Sequence, residues 1–208
     1  MDLNKLTVKC QQALQEAQTK AVNYGHQEVD GEHLMLALVE QSDGLVPRLL
    51  ERMEVPADAF REKLVQALEK KPRISGPGTE PGKVYITQRL NKLLVQAQAE
   101  AMKLKDEYVS VEHILLAFID EGGQTPTGSI LREFNITRDL LLQTLTAIRG
   151  HQRVTSADPE GTYEALQKYG RDLVEEAGPA NSIRSSGATM RFGAWSGFFR
   201  AKPKTTRC

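Results

Sequence analysis

The feature that most restricts this chain is that it is written twice. When the sequence is slid along itself so that Thr7 falls on Thr87, Leu14, Ala17, Gln18 and Ala21 fall on Leu94, Ala97, Gln98 and Ala101. In the same register Val29, Glu32, His33, Leu36 and Ala37 fall on Val109, Glu112, His113, Leu116 and Ala117. Past a one-residue insertion, Leu50, Met53, Val55 and Leu64 fall on Leu131, Phe134, Ile136 and Leu145. A duplication of this length predicts two copies of one structural unit, here residues 1–75 and 83–150 of a domain covering 1–150. The Gly- and Pro-rich stretch Ser75–Gly82 between them reads as a flexible joint.

Each copy reads as about four helices. In the first, Cys10, Leu14, Ala17, Ala21 and Tyr24 recur at spacings of four and three, an amphipathic stripe that Thr7 is placed to cap and Gly25 to stop. "HLMLALVE" is apolar nearly all round, as a helix buried between others must be, with Asp30 ahead of it as a cap. Pro47 and Pro56 sit where first-turn prolines belong, and Phe60, Leu64, Ala67 and Leu68 share one side of the closing helix. The second copy repeats the pattern with "ITQRLNKLLVQAQAEAMKL", "SVEHILLAFID", a short helix at "GSILREF", and "TRDLLLQTLTAI" capped by Thr137. No strand is expected. The fold class is therefore all-α, two pseudo-twofold repeats of about four helices each, followed by a further short helix and a disordered tail.

With 40% apolar and 26% charged residues and no net charge, the composition is that of a soluble globular protein. No run approaches a membrane span, and "MDLNKLTVKC" lacks the basic and apolar regions of a signal peptide, so a cytoplasmic location is expected. Cys10 lies on the apolar stripe and Cys208 is the last residue, which argues against a disulfide framework. The repeated Glu-His pairs, Glu32 with His33 and Glu112 with His113, carry the donor atoms of a metal or acid-base site. A zinc-binding helix needs two histidines one turn apart, however, and neither helix has a second. The pairs read instead as helix starts: Asp30 or Ser110 caps, the glutamate sits by the positive end of the helix dipole, and the histidine packs. There is no Gly-x-Ser-x-Gly elbow, and "SGPGTEPGKVY" has no strand before it and no Ser or Thr after Lys83 to make a phosphate loop. No catalytic residue, metal or cofactor is expected in this chain, so a binding module is expected rather than an enzyme.

The residues "LTVKCQQALQEAQ", the two "EH" helix starts and "LLLQTLTAIRG" resemble the N-terminal repeat domain of the Clp family of AAA+ disaggregase chaperones, over about Met1 to Gly150. "SADPEGTYEALQKYGRDLVEEA", Ser156–Ala177, is similar to the segment that leads into that family's first ATPase module, and its form favours the disaggregases over their protease-partner relatives. Residues 151–177 are thus expected to be a linker and lead-in helix.

After Ala177 the resemblance stops. Beyond it come Arg184, Arg191, Arg200, Lys202, Lys204 and Arg207, with Trp195, Phe192, Phe198 and Phe199 among them, which in isolation would suggest a nucleic-acid arm. Regrouping permissible codons for "ANSIRSSGATMRF" one nucleotide earlier gives "GKLDPVIGRDDEI", the sequence that the family would carry there. Residues 178–208 therefore read as an out-of-frame, disordered tail with no nucleic-acid partner.

The resemblance implies a module that recruits unfolded or aggregated polypeptides through a groove between the repeats and passes them to an ATPase ring. Position by position, Thr7, Asp106 and Glu112 match polar residues of substrate handling and Leu94 an apolar groove position. Read from their surroundings alone, Thr7 and Glu112 are equally helix-start residues, Asp106 a loop residue and Leu94 core. His113 stands where some members carry an apolar groove residue, which lowers the hydrophobicity expected of the groove. ATP would belong to the full-length relative, as would a DnaK-type chaperone system and a full-length copy of the disaggregase as partners. No membrane partner is implied, and a monomer is expected because the ring is built by the ATPase modules. The alternative, by similarity to the protease-partner branch, is an adaptor-docking or degron-reading domain.

Overall fold

The computed structural model describes residues 3–73, 84–149 and 153–159. The joint Ser75–Gly82, the lead-in segment from residue 160 and the tail 178–208 lie outside the described residues. The first copy forms α1 (Val8–Asn23), α2 (Gly31–Glu40), α3 (Leu45–Arg52) and α4 (Ala57–Glu69). The second forms α5 (Gln88–Leu104), α6 (Val111–Asp120), α7 (Pro126–Glu133) and α8 (Arg138–Arg149).

The two helices that are apolar all round occupy the centre. Leu34 to Leu38 of α2 and Ile114 to Phe118 of α6 are all buried, because flanking helices cover each from several sides. Within one copy α1 and α4 pack on α2, and within the other α5 and α8 pack on α6. Across the copies α7 packs on α4 and α2, while α3 packs on α8 and α6. These contacts exchange under the duplication, which is the pseudo-twofold relation that the repeat predicts. A single hydrophobic core runs through both copies. On α1 the buried stripe is Cys10, Ala13, Ala17 and Ala21, small side chains that let α1 lie close against α2.

Two expectations need correction. A short parallel ladder joins β1 (Glu28–Val29) to β2 (Tyr85–Ile86), where no strand was expected. Its counterpart is the parallel bridge of Leu6 to Val109. The Thr87 N–H donates to the Val29 carbonyl at 3.0 Å, and the Thr7 N–H donates to the Val109 carbonyl at 3.0 Å, so each copy's entry segment pairs with the other copy. Two-residue ladders are too short to leave an alternating pattern in a sequence.

The second correction concerns capping. Thr7 occupies the N-cap of α1 but its hydroxyl caps nothing and is buried without a partner. Its counterpart Thr87 does cap, accepting from Leu90 N–H at 3.0 Å while donating to Asp30 Oδ1 at 3.0 Å. The difference follows from the opposing residue: Ser110 replaces Asp30 in the second copy, and its hydroxyl is engaged by His113 at 2.9 Å. Pro47 lies in the first turn of α3 as expected, whereas Pro56 stands ahead of α4 as its N-cap. Gly25 closes α1 at φ +72°, a left-handed conformation that suits glycine.

Close approach fixes one glycine further on. A Cβ on Gly128 would lie 1.9 Å from the Gly122 carbonyl oxygen, backbone that cannot swing away. Gly128→Ala is expected to lower the stability of the fold by about 1–3 kcal/mol, read as a lower urea midpoint at unchanged slope.

Candidate functional site

The most organised polar chemistry lies at the N-termini of the two central helices. At α2, Asp30 accepts from the Gly31 N–H at 2.8 Å, and His33 Nδ1 accepts the Asp30 N–H at 3.0 Å. Histidine thus takes the place that Glu or Gln fills in an ordinary capping box. In α6 the same role falls to His113, whose Nδ1 accepts the Ser110 N–H at 3.0 Å. Both histidines are fully buried, as their reading as packing residues requires, and both also act as caps, which the sequence reading did not foresee. An acceptor Nδ1 places the proton of the neutral ring on Nε2. In the second copy that proton points at Asp106 Oδ2, 3.1 Å away. In the first copy it points at His26 Nδ1, 2.8 Å away, leaving His26 Nε2 without a well-formed partner.

Beside each cap lies a buried carboxylate. Glu32 is bound by Arg89 at 2.6 Å and Lys71 at 2.6 Å, and Arg89 also reaches Glu121 at 3.0 Å. Since Arg89 begins α5 and Lys71 follows α4, this cluster ties the first copy to the second. Glu112 is bound by Arg149 at 2.8 Å, and the same guanidinium holds Asp106 at 2.8 Å. Burial pushes the Asp30 carboxyl up, but the Lys71 ammonium, the Gly31 N–H and Arg89 outweigh it and hold it at about 2. Burial likewise opposes the charge on Asp106, yet His113, the Val154 N–H and Arg149 keep its pKa below the ordinary value. Against the pull of burial, Glu121 and Glu32 raise the pKa of Arg89. Burial, Lys71 and His26 press the His33 imidazole down to about 4.

The four residues singled out from the sequence fall in two places. Asp106 and Glu112 share Arg149, and the Thr7 N–H donates to Val109, which lies between them in the chain. Leu94 is apart from them, 3% exposed in the core face of α5. The side chains of all four are covered: Thr7 is 0% and Glu112 is 1% exposed, and the Asp106 side chain is 0% exposed. His113 is buried too, so it lines no open groove. Lys71, Arg89 and Arg149 were missed by sequence reasoning. The signal was present, since a glutamate at the start of an all-apolar helix requires a cation from elsewhere.

The junction between the copies is filled. Met35, Leu49, Phe60, Leu115, Leu131 and Leu141 surround a residual cavity of about 10 Å³. An open channel of about 670 Å³ runs between α5 and α6, lined by Arg89, Lys92, Leu93, Gln96, Asp120 and Glu121. No group of three or more metal-ligating side chains occurs among the described residues, and no helix there is long and apolar enough to cross a membrane.

A duplicated four-helix unit closed around one core is the architecture shared with the N-domain class of the Clp chaperones. Residues 5–134 match the family model of the Clp repeat (R) N-terminal domain, and the chain belongs to that family. It is 59% identical over 177 residues to chaperone protein ClpB of Nitratidesulfovibrio vulgaris, a match covering 85% of this chain and 20% of that protein. ClpB of Bacillus anthracis is 51% identical over 176 residues, with 85% and 20% covered. The chain thus matches the N-terminal fragment of ClpB and spans about a fifth of the length of these relatives. Among solved structures, the Hsp104 N-terminal domain from Candida albicans superposes with a TM-score of 0.63, covering 75% of this chain and 99% of that one. At 21% identity that likeness concerns the fold. The N-terminal domain of the ClpV1 ATPase from Escherichia coli EAEC is 26% identical with a TM-score of 0.58, covering 73% and 89%.

Two outcomes follow from the ionic caps. Glu32→Ala leaves Lys71 and Arg89, each about a quarter exposed, with only Asp30 and Glu121 as partners and should cost about 1–3 kcal/mol in chemical denaturation. Because the folded-state pKa of His33 is about 4 against an unperturbed 6.5, the unfolded chain takes up the proton first. Stability present above pH 6.5 should fall as the pH drops towards 4. His33→Gln keeps an acceptor for the Asp30 N–H and should flatten that slope in denaturation midpoints measured between those limits.

Proposed function

We propose that this domain is the polypeptide-recruiting head of a ClpB-type disaggregase. It engages unfolded or aggregated chains weakly in the cytoplasm and presents them to an ATP-driven pore contributed by the rest of the full-length protein. The observation that carries this reading is the 59% identity to a ClpB chaperone across 85% of the chain. On this reading the domain acts by binding alone, and ATP is a cofactor of the full-length relative rather than of these residues. Thr7, Asp106, Glu112 and Leu94 would serve capture through the surfaces that their packing shapes, since their own side chains are covered.

Weak capture suits the surface. Apolar side chains left exposed are spread out, with Val95 at 57% and Met102 at 65% two turns apart on α5, and Tyr85 at 66% within the entry ladder. A dispersed apolar surface holds many sequences loosely and releases them to a stronger machine. A full-length ClpB and a DnaK-type system would be the partners in that context.

The test is a fluorescence anisotropy titration of a labelled, permanently unfolded polypeptide against this chain, alongside a phosphate-release assay. Expected are a Kd on the order of 10–100 μM and ATP turnover no higher than buffer. Indifference to unfolded polypeptide together with tight binding to one folded adaptor would favour the adaptor-docking reading instead.

A further inference from the structure

We infer that the start of α1 and the loop between α5 and α6 form a site that reads the main chain of an extended polypeptide, and that residues 153–159 of this chain fill it as a built-in competitor. The inference rests on the recruiting role proposed above and names where and how one capture event occurs.

Main-chain groups of this segment bond to the body of the domain at three points. Val154 N–H donates to Asp106 Oδ1 at 2.8 Å, and the Val154 carbonyl accepts from Glu107 N–H at 3.0 Å. Three residues on, the Ala157 carbonyl accepts from Val8 N–H at 2.9 Å. The Val8 N–H belongs to the first turn of α1, a position with no partner inside its own helix. Residues 153–155 have no regular secondary structure, the chain bends at Ser156 and Ala157 and turns helical at Pro159, with Val154 fully buried, Thr155 to Asp158 exposed and Pro159 buried again. Two covered apolar anchors separated by exposed positions, held by three main-chain hydrogen bonds, form a pattern that many sequences satisfy. Main-chain hydrogen bonds supply affinity without reading side chains.

The receiving surface is rigid and incomplete. Glu107 to Val109 is pinned from the other side by the Val109 N–H donating to the Lys5 carbonyl at 2.8 Å. Asp106 is held in place by Arg149 and His113. Next to Val8, the Thr7 hydroxyl is buried and unpartnered, a polar group still available to a chain lying across it. The Asp106 half of the site has no equivalent in the first copy. In the first copy His26 stands in the register of Asp106, and it offers no carboxylate to an incoming N–H.

The segment therefore has two states. Docked, it completes the Asp106 cluster and covers the site. Released, it frees Asp106, Glu107 N–H and Val8 N–H for an extended client segment carrying a medium-sized apolar residue in the place of Val154. A site that is open for only a fraction of the time binds with an affinity reduced by that fraction, which would keep client binding weak.

Hydrogen exchange and binding on the full chain test this, with a carboxymethylated, fluorescein-labelled unfolded protein as the probe. Saturating probe is expected to speed amide exchange across 153–159 by about tenfold, and Val154→Asp, which buries a charge beside Asp106, to tighten probe binding by about tenfold. Probe binding that leaves exchange in 153–159 unchanged overturns the competitor role and leaves the recruiting role standing. Failure of both the natural chain and Val154→Asp to bind the probe overturns the recruiting role and this inference with it. If Val154→Asp loses its helical circular dichroism signal, exchange in the natural chain decides alone.

Discussion

The pairing of Glu32 with Arg89 and Lys71 is the interaction on which the assembly of the two copies turns. An anion at the first turn of a buried helix is favoured by the helix dipole but loses its hydration. Two cations repair that loss, and they come from opposite sides of the joint between the copies. The first copy therefore cannot complete the cap of its own central helix from its four helices alone. Asp30 and Glu121 extend the cluster to both neighbours, so the junction is specified by charge as well as by apolar packing. Apolar surfaces alone would permit sliding of one copy on the other, whereas a bidentate guanidinium between two carboxylates fixes a register.

The entry ladders add a second constraint in the same direction. Residues before α1 pair with the second copy and residues before α5 pair with the first, so the chain is exchanged at both helix starts. This reciprocity explains why the duplicated sequence folds as one body. It also places the Thr7 backbone beside the α5–α6 loop, and through that loop beside Asp106 and the segment 153–159.

The duplication has diverged where the copies do different work. Asp30 and Ser110 occupy the same cap, yet only Asp30 carries charge, and with it come Lys71, Arg89 and an active Thr87 cap. His26 and Asp106 occupy the same loop position, so His33 donates to an imidazole in one copy and His113 to a carboxylate in the other. The first arrangement makes the His33 cap sensitive to protons. In the second, the carboxylate gathers Arg149 and the Val154 N–H around it.

The sequence by itself determined the eight α-helices of the described residues, the two copies and most of the buried faces. Those properties follow from local periodicity and capping residues, such as the stripe through Cys10, Ala17 and Ala21 or the cap at Thr137, and each is written within one or two turns of chain. The Glu-His pairs could be recognised as helix starts for the same reason. Only the tertiary structure decided that Thr7 does not cap, that His33 and His113 do, and that Leu94 turns inward. It alone brought Arg89 to Glu32, Arg149 to Asp106 and Val154 to the α5–α6 loop. Those partners are separated by tens of residues: Arg149 meets Asp106 through the packing of helices within the second copy, and Arg89 meets Glu32 through the docking of one copy on the other. That is a property of the shared core and the exchanged ladders, which no local stretch of sequence encodes.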